Sequence, residues 1–281
     1  MIIRYPFSGV GVDQFKSVYM HFQTDWLNRH PNCPEMFLAD NTVFCFNEYL
    51  KTTAETGVPG LLILLSLLLS ALFCDTRADA GSYTARAGLT SLMIFACFSY
   101  PFSVLTLKIY FFAFLVIISV RQKPAMNIPH VKWTKILIIL TLCVILSIAT
   151  INALSITNAF RSWGIAIEAS INEKWEDSNA HYYRTQAILK NDLLFIDNYT
   201  QILKKCDRYN EAITVLKTGL SIAPLTGLYI STGNCHSKLG NYCEAEEAYL
   251  YAMQMLSTRA RPVLELAKLY IQTGRKKKPS N

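Results

Sequence analysis

Uncharged apolar runs alternate with mixed polar segments along this chain, and the runs are too long for the core of a soluble domain. The first, Val58–Cys74, contains no charged residue; as a helix rising roughly 1.5 Å per residue it measures about 26 Å, close to a bilayer core. Further apolar runs cover residues 87–120 and 136–154. This pattern predicts an all-α polytopic membrane domain over residues 58–154.

The run at residues 87–120 contains a SYPFS break, Ser99 to Ser103. A single helix of that length would measure about 51 Å, well beyond a hydrocarbon core of roughly 30 Å. We therefore expect two spans hinged at Tyr100-Pro101, with Lys108 extending its ammonium towards the interface. The four predicted spans are 58–74, 84–100, 103–120 and 136–154.

Positive charge predicts the orientation of these spans. Arg77 and Arg86 lie in one connecting segment, and Arg121, Lys123, Lys132 and Lys135 lie in the other. A hairpin at Pro101 puts both segments on one side, which the positive-inside rule makes cytoplasmic. Residues 1–57 and 155–281 then share the outer, periplasmic face of a bacterial inner membrane.

Composition excludes some functional classes. The net charge is +7, but no continuous basic face with interleaved aromatic residues appears, so we expect no nucleic acid partner. The only basic run, Lys276 to Lys278, is typical of a solvated terminus. The eight cysteines form no CxxC pair, and the sequence assigns no disulfide between them.

Residues 155–281 contain a repeat of about 33 residues. Asp207–Pro224 recurs as Gly240–Ser257, with tyrosine, glutamate and small residues at matching positions. A helix-length stretch precedes each copy, and Val263–Thr273 is a third stretch of this kind. This pattern is similar to the tetratricopeptide repeat (TPR), and a generic array of helical hairpins is the alternative. Residues 162–190 are expected to form a cap or a preceding repeat, and the tail is expected to bind a protein partner without chemistry of its own.

The segment FNEYLKTTAETGVPG, residues 46–60, leads directly into the first span. It resembles the C-terminal signature of the O-antigen ligase/polymerase family, in which His-Asn-x-x-Leu precedes Glu-x-Gly-x-x-Gly and a transmembrane helix. PFSGVGVDQF, the break between the second and third spans and the TPR-like tail also fit members of that family. The matching positions are Asn47, Leu50, Glu55, Gly57 and Gly60.

The resemblance implies a membrane glycosyltransferase. Such proteins transfer a glycan from a polyprenyl-diphosphate carrier to a glycan or lipid acceptor, and no metal or other cofactor is implied. The histidine of the signature is replaced by Phe46, so the usual general-base candidate is missing. Family members have many more spans, and we therefore expect this chain to be the C-terminal part of such an enzyme and inactive alone.

Candidate catalytic residues in this segment have structural alternatives. Glu55 could act as a general base, or it could stabilise the positive end of a helix. Asn47 could orient a substrate hydroxyl or cap a helix. Glu48 is expected to face solvent. Gly9 and Gly11 could cradle a phosphate, although a tight turn is the more common use of such a pair.

Candidate substrate-binding residues lie in the same N-terminal segment. Arg29 and Arg4 are its only arginines and could stabilise a diphosphate. Asp40 and Asn41 could bind sugar hydroxyls or form a turn. His21 is expected to be an ordinary surface residue, as is His30.

Two functions remain open from the sequence. One is the glycosyltransferase that the resemblance implies. The other is a membrane-anchored TPR adaptor that recruits envelope partners and catalyses nothing. A transporter finds little support, because Lys108 is the only charge deep within a predicted span.

Overall fold

The computed structural model describes residues 1–31, 33–74, 79–121 and 132–274, with only the backbone at 132–139. Within these ranges every regular element is helical, which confirms the all-α prediction. The α-helices are α1 (Phe15–Arg29), α2 (Glu48–Phe73), α3 (Ala80–Ala96), α4 (Leu105–Val120), α5 (Lys132–Ile171), α6 (Trp175–Leu189), α7 (Leu193–Lys205), α8 (Tyr209–Ile222), α9 (Thr226–Lys238), α10 (Tyr242–Met255) and α11 (Ala260–Thr273).

The chain divides into two compact units. The first comprises residues 1–19 and 42–129, and the second comprises residues 20–41 and 130–281. Helix α1 therefore begins in the first unit and ends in the second. The repeat-containing tail lies entirely in the second unit, together with a piece of the N-terminal segment.

In the first unit, α2, α3 and α4 pack around a small apolar core. Leu68, Leu89 and Ile118 are each 1% exposed or less and contribute one side chain per helix. The predicted break between two helices is present, as α3 ends at Ala96 and a 3-10 turn at Pro101–Ser103 precedes α4. Proline fits the first position of that turn because it lacks the N–H that a preceding residue would have to bind.

Among the described residues, two helices have the length and composition to cross a membrane, α2 and the Leu140–Ile171 part of α5. Helix α4 is apolar but has 16 residues, and α3 has 17. The four-span domain therefore stays a prediction. Two of the residues that set its predicted orientation, Arg77 and Lys123, lie outside the described residues, as does the basic run at 276–278.

Helix α5 runs unbroken for 40 residues through the predicted boundary at 154/155. The most apolar stretch of its Leu140–Ile171 part is not buried, as expected for a segment surrounded by lipid. Beyond it, Ala159, Trp163 and Ala166 are buried against α6. One helix thus supplies both an apolar stretch and the first half of the first hairpin of the tail.

Successive hairpins form the tail: the end of α5 with α6, α7 with α8, and α9 with α10, followed by α11. The predicted repeat copies coincide with α8 and α10. Small residues lie where the helices are closest; a Cβ at Gly233 would lie 2.5 Å from the Tyr249 ring, and one at Gly219 would lie 2.9 Å from Ile196. Residues 162–190 form a preceding hairpin, and its Tyr182 stacks on Tyr199 of α7 with ring centroids 5.2 Å apart.

Candidate functional site

The two halves of the signature segment pack against each other in the first unit. The backbone N–H of Val10 donates to the Ala54 carbonyl at 2.9 Å, and that of Gly11 donates to the Glu55 carbonyl at 2.9 Å. The N–H of Val58 donates to the Pro6 carbonyl at 2.8 Å. The PFSGVGVDQF segment is therefore held by backbone bonds against the kink in α2.

Two glycines permit this close approach. Gly57 interrupts α2 with φ 74° and ψ −178°, a conformation that is essentially restricted to glycine. A Cβ on it would lie 2.4 Å from the Phe7 carbonyl oxygen. Gly9 has φ +62°, and its Cβ would lie 2.3 Å from the Glu55 backbone. These contacts favour the tight-turn interpretation of Gly9 over phosphate binding.

Glu55 is 8% exposed, and its Oε1 accepts a hydrogen bond from the Phe15 backbone N–H at 3.2 Å. Phe15 is the first residue of α1. The carboxylate therefore satisfies one of the unpaired N–H groups at the start of that helix, where negative charge is stabilised. This contact supports the structural alternative for Glu55, while its role as a general base stays a prediction.

Asn47 caps α2, with its Oδ1 accepting from the Leu50 N–H at 2.9 Å. Its amide nitrogen also donates to the Cys97 carbonyl at 2.9 Å, which ties α2 to the end of α3. Phe46, which replaces the family histidine, packs edge-on against Tyr100 and is 66% exposed.

The expectation that Glu48 faces solvent is wrong, since this residue is only 4% exposed. Its Oε1 lies 3.7 Å from Lys51 Nζ, and Lys51 also donates to Ser103 Oγ at 3.2 Å. The first turn of α2 is thereby fixed to the turn that separates α3 from α4. The sequence pattern did not predict this contact because Lys51 and Ser103 lie 52 positions apart in the chain.

An apolar cavity of about 780 Å³ lies beside the signature segment in the first unit. Phe15, Tyr19, Phe44 and Leu50 form much of its wall, and Ala54 places it one residue from Glu55. Burial raises the pKa of the Cys45 thiol in the same wall. A cavity of this character suits an alkyl or isoprenoid chain better than a sugar.

The predicted substrate-binding residues divide between the units. Arg4 lies in the first, with its guanidinium 5.9 Å from the Tyr5 ring. Arg29, Asp40 and Asn41 lie in the second. Arg29 ends α1 and is exposed.

Asp40 and Asn41 both contact the tail. Asp40 Oδ2 lies 2.9 Å from Arg259 Nη2, just before α11, and Asn41 Oδ1 accepts two bonds from Thr226, the first residue of α9. His21 Nδ1 lies 2.7 Å from the Tyr251 hydroxyl. These contacts account for the three residues structurally, and a sugar-binding role for Asp40 and Asn41 stays a prediction.

The second unit also carries a polar groove of about 470 Å³ across the first helices of its hairpins. Lysine and carboxamide side chains dominate its wall, with Tyr209 and Tyr249 between them. These residues match no known sequence motif, although each first helix carries a lysine and a carboxamide one turn apart. The lysines and carboxamides are Gln201, Lys204, Lys205, Asn234, Lys238, Lys268 and Gln272.

No protein-family model matches this chain, and no curated protein matches it. The chain is similar in structure to residues 41–end of MamA from Desulfovibrio magneticus RS-1, at 14% identity, over 42% of this chain and 67% of that one, with a TM-score of 0.39. It is also similar to the type III secretion translocator chaperone SycD from Yersinia enterocolitica, at 15% identity, over 41% and 93%, with a TM-score of 0.37.

Both neighbours are TPR-like helical-repeat proteins. At these scores the likenesses carry no inference about function, and the assignment of helical hairpins rests on the contacts within this chain. None of these comparisons supports the resemblance to the O-antigen ligase/polymerase family.

Proposed function

We propose that this chain is a membrane-anchored docking protein whose helical tail binds a segment of a partner protein. The observation that carries this proposal is the polar groove across α7, α9 and α11. Paired helices that stack in one direction create extended surfaces of this kind, and such surfaces bind partners rather than catalyse reactions. No group of His, Cys, Asp or Glu side chains among the described residues is arranged to hold a metal ion.

The anchor in this proposal consists of α2 and the apolar part of α5, which expose apolar side chains along their length. Exposed apolar surface of that extent requires apolar surroundings, which a bilayer supplies. Positive-inside charge bias supports placing the N-terminal segment and the tail on the outer face of a bacterial inner membrane.

Site-specific photo-cross-linking in native membranes tests the docking function. A photoreactive amino acid at Gln201, within the groove, is expected to give a discrete protein adduct. The same group at Thr214, exposed on α8 and outside the groove, is the matched control. Identical adducts from both positions, or none from Gln201, would overturn the proposal.

A second candidate is the glycan transfer that the family resemblance implies. It is supported by the packing of the two signature segments against each other and by the apolar cavity beside them, which suits the chain of a lipid carrier. Glu55 or Asn47 would then act on the acceptor hydroxyl, and Arg4 or Arg29 on the diphosphate. Both signature residues already have structural partners, so we rank this candidate below docking.

Reconstitution separates the two candidates. The full chain in lipid vesicles, supplied with a polyprenyl-diphosphate-linked glycan and an acceptor, is expected to transfer nothing. Measurable transfer that depends on Glu55 or Asn47 would establish the second candidate. Adduct formation through the groove would be unaffected by that outcome.

A further inference from the structure

We infer that the groove of the tail binds an extended acidic segment of a protein, an inference that rests on the docking function proposed above. Each first helix that lines the groove contributes a pair of one lysine and one carboxamide, separated by three or four positions, and α7 adds Lys205 as a further lysine. Residues so spaced lie one above the other on the same face of a helix. The pairs are Gln201 with Lys204 in α7, Asn234 with Lys238 in α9, and Lys268 with Gln272 in α11.

The charge of the groove is unbalanced. Four lysines line it, and Glu265 is its only acidic residue among those described. Glu265 Oε1 lies 3.0 Å from Lys268 Nζ, so it is already engaged on α11. Lys205 lies 5.4 Å over the Trp175 ring. No groove carboxylate remains for Lys204 or Lys238.

Helix dipoles provide a simpler explanation for some of these lysines. Lys204 and Lys205 lie in the last turn of α7, and Lys238 lies in the last turn of α9, where cations are favoured. Each helix end carries roughly half a negative charge. Two such ends supply about one negative charge against three lysines. Most of the positive charge is therefore available to a ligand.

Lys204 is the position where an anion would contribute most. Burial lowers the pKa of its ammonium, and Cys235 and Asp197 offset that effect only in part. A partly desolvated cation favours a bound carboxylate more than a fully hydrated one does, because less water must be removed when the pair forms.

The carboxamides favour a peptide over other anions. A side-chain amide both donates and accepts, as a peptide group does, and it therefore matches an extended backbone. The Tyr249 hydroxyl donates to Asn234 Oδ1 at 2.6 Å, which fixes that side chain and leaves its N–H groups available to a ligand carbonyl. At the usual interaxial distance of about 8–10 Å, a groove across three helices spans roughly 20 Å, the length of about six extended residues.

Fluorescence anisotropy with the full chain in phosphatidylcholine nanodiscs tests this inference. The probes are fluorescein-labelled hexaglutamate, hexaglutamine as the neutral peptide, and hexagalacturonate as an anionic glycan. The groove variant is Lys204→Glu with Lys238→Glu. Its matched control is Lys190→Glu with Lys217→Glu, which makes the same change of net charge at exposed positions outside the groove.

We expect hexaglutamate to bind more tightly than either other probe. The groove variant should weaken its binding about tenfold, and the control variant less than about twofold. Because Lys238 is exposed, Lys238→Ala alone should leave the fold intact and weaken binding of hexaglutamate by an intermediate factor. Asn234→Leu should weaken binding of both peptides, because Asn234 is expected to contact the peptide backbone, which both probes share, and not the glutamate carboxylates.

Three results would overturn the inference: equal binding of hexaglutamate and hexaglutamine, equal weakening by the groove and control variants, or tighter binding of hexagalacturonate. The last would assign the groove to anionic glycans. If either of the first two occurs while the Gln201 adduct persists, the acidic character of the partner is wrong and the docking function stands. If the adduct is also absent, the docking function fails as well.

Discussion

The side-chain oxygen of Asn41 accepts two hydrogen bonds from Thr226, one from its backbone N–H at 3.1 Å and one from its hydroxyl at 3.0 Å. Thr226 begins α9, and the preceding residue, Leu225, provides no side-chain cap. Asn41 therefore caps this helix from 185 positions earlier in the chain. The N-terminal segment consequently contributes to the stability of the tail.

Replacing Asn41 by alanine should destabilise the tail by about 1 kcal/mol, because the first N–H of α9 loses its acceptor. Thermal unfolding followed by circular dichroism measures the loss, and hydrogen exchange should accelerate first at the start of α9. Asn210→Ala is the matched control, since Asn210 is exposed and its side chain has no hydrogen bond among the described contacts. Equal effects of the two substitutions would contradict the capping role.

Gly57→Ala should destabilise the first unit by roughly 2–3 kcal/mol or more, because alanine cannot adopt this backbone conformation at low cost and its Cβ would meet the Phe7 carbonyl. Limited proteolysis should then cleave the N-terminal segment more rapidly. Gly164→Ala serves as the comparison, since Gly164 lies within α5 with open space around it. That substitution should be neutral or stabilising by about 0.5–1 kcal/mol. Similar protection from protease in both variants would contradict the requirement for glycine at position 57.

Glu55 substitutions separate its two proposed roles. Glu55→Gln retains an oxygen that can accept from the Phe15 N–H, whereas Glu55→Ala removes it. If the role is structural, glutamine should preserve the protease resistance of α1 and alanine should reduce it. If Glu55 is a general base in the complete enzyme, both variants should lose glycan transfer despite their different stability.

Lys204→Met should raise the melting temperature of the tail at neutral pH, because the substitution removes a cation that burial penalises. The pKa of Lys204 is lowered in the folded state, so the unfolded chain binds more protons between that pKa and the ordinary lysine value. The stability of the unsubstituted chain should therefore rise with pH across this window, and the advantage of the methionine variant should shrink. A difference that does not change with pH would show that packing, rather than charge, is responsible.

Topology can be tested with reporter fusions. A fusion after Asn179, in the tail, should report the outer face, and a fusion after Arg77 should report the cytoplasm. Both reporters on the same side would contradict the four-span prediction. Reporters on opposite sides would exclude a single span over residues 87–120.

Sequence periodicity located most of the helices. The matching copies at 207–224 and 240–257 correspond to α8 and α10, because small residues recur wherever two helices approach closely. The break at Pro101 also follows from local chemistry, since proline lacks the N–H that would continue α3. The continuity of α5 did not follow, because the change from apolar to polar composition near residue 155 leaves helix propensity unchanged.

The candidate sites were harder to predict because their contacts are distant in sequence. Asp40 and Asn41 have the composition of a turn, and nothing local indicates that they contact Arg259 and Thr226. The burial of Glu48 likewise depends on the turn that contains Ser103. The lysine and carboxamide pairs were visible in the sequence, but their meaning depends on stacking three helices side by side.

The unbroken course of α5 has a mechanical consequence. A helix of 40 residues is about 60 Å long, twice the thickness of a bilayer core, so in the proposed membrane-anchored arrangement roughly half of it projects beyond the lipid. Because its far end is buried in the first hairpin at Trp163, the repeat array is joined to its anchor by a stiff rod rather than a flexible tether. In the proposed arrangement this rod sets the height of the array above the lipid surface, and a partner must reach that height to engage it.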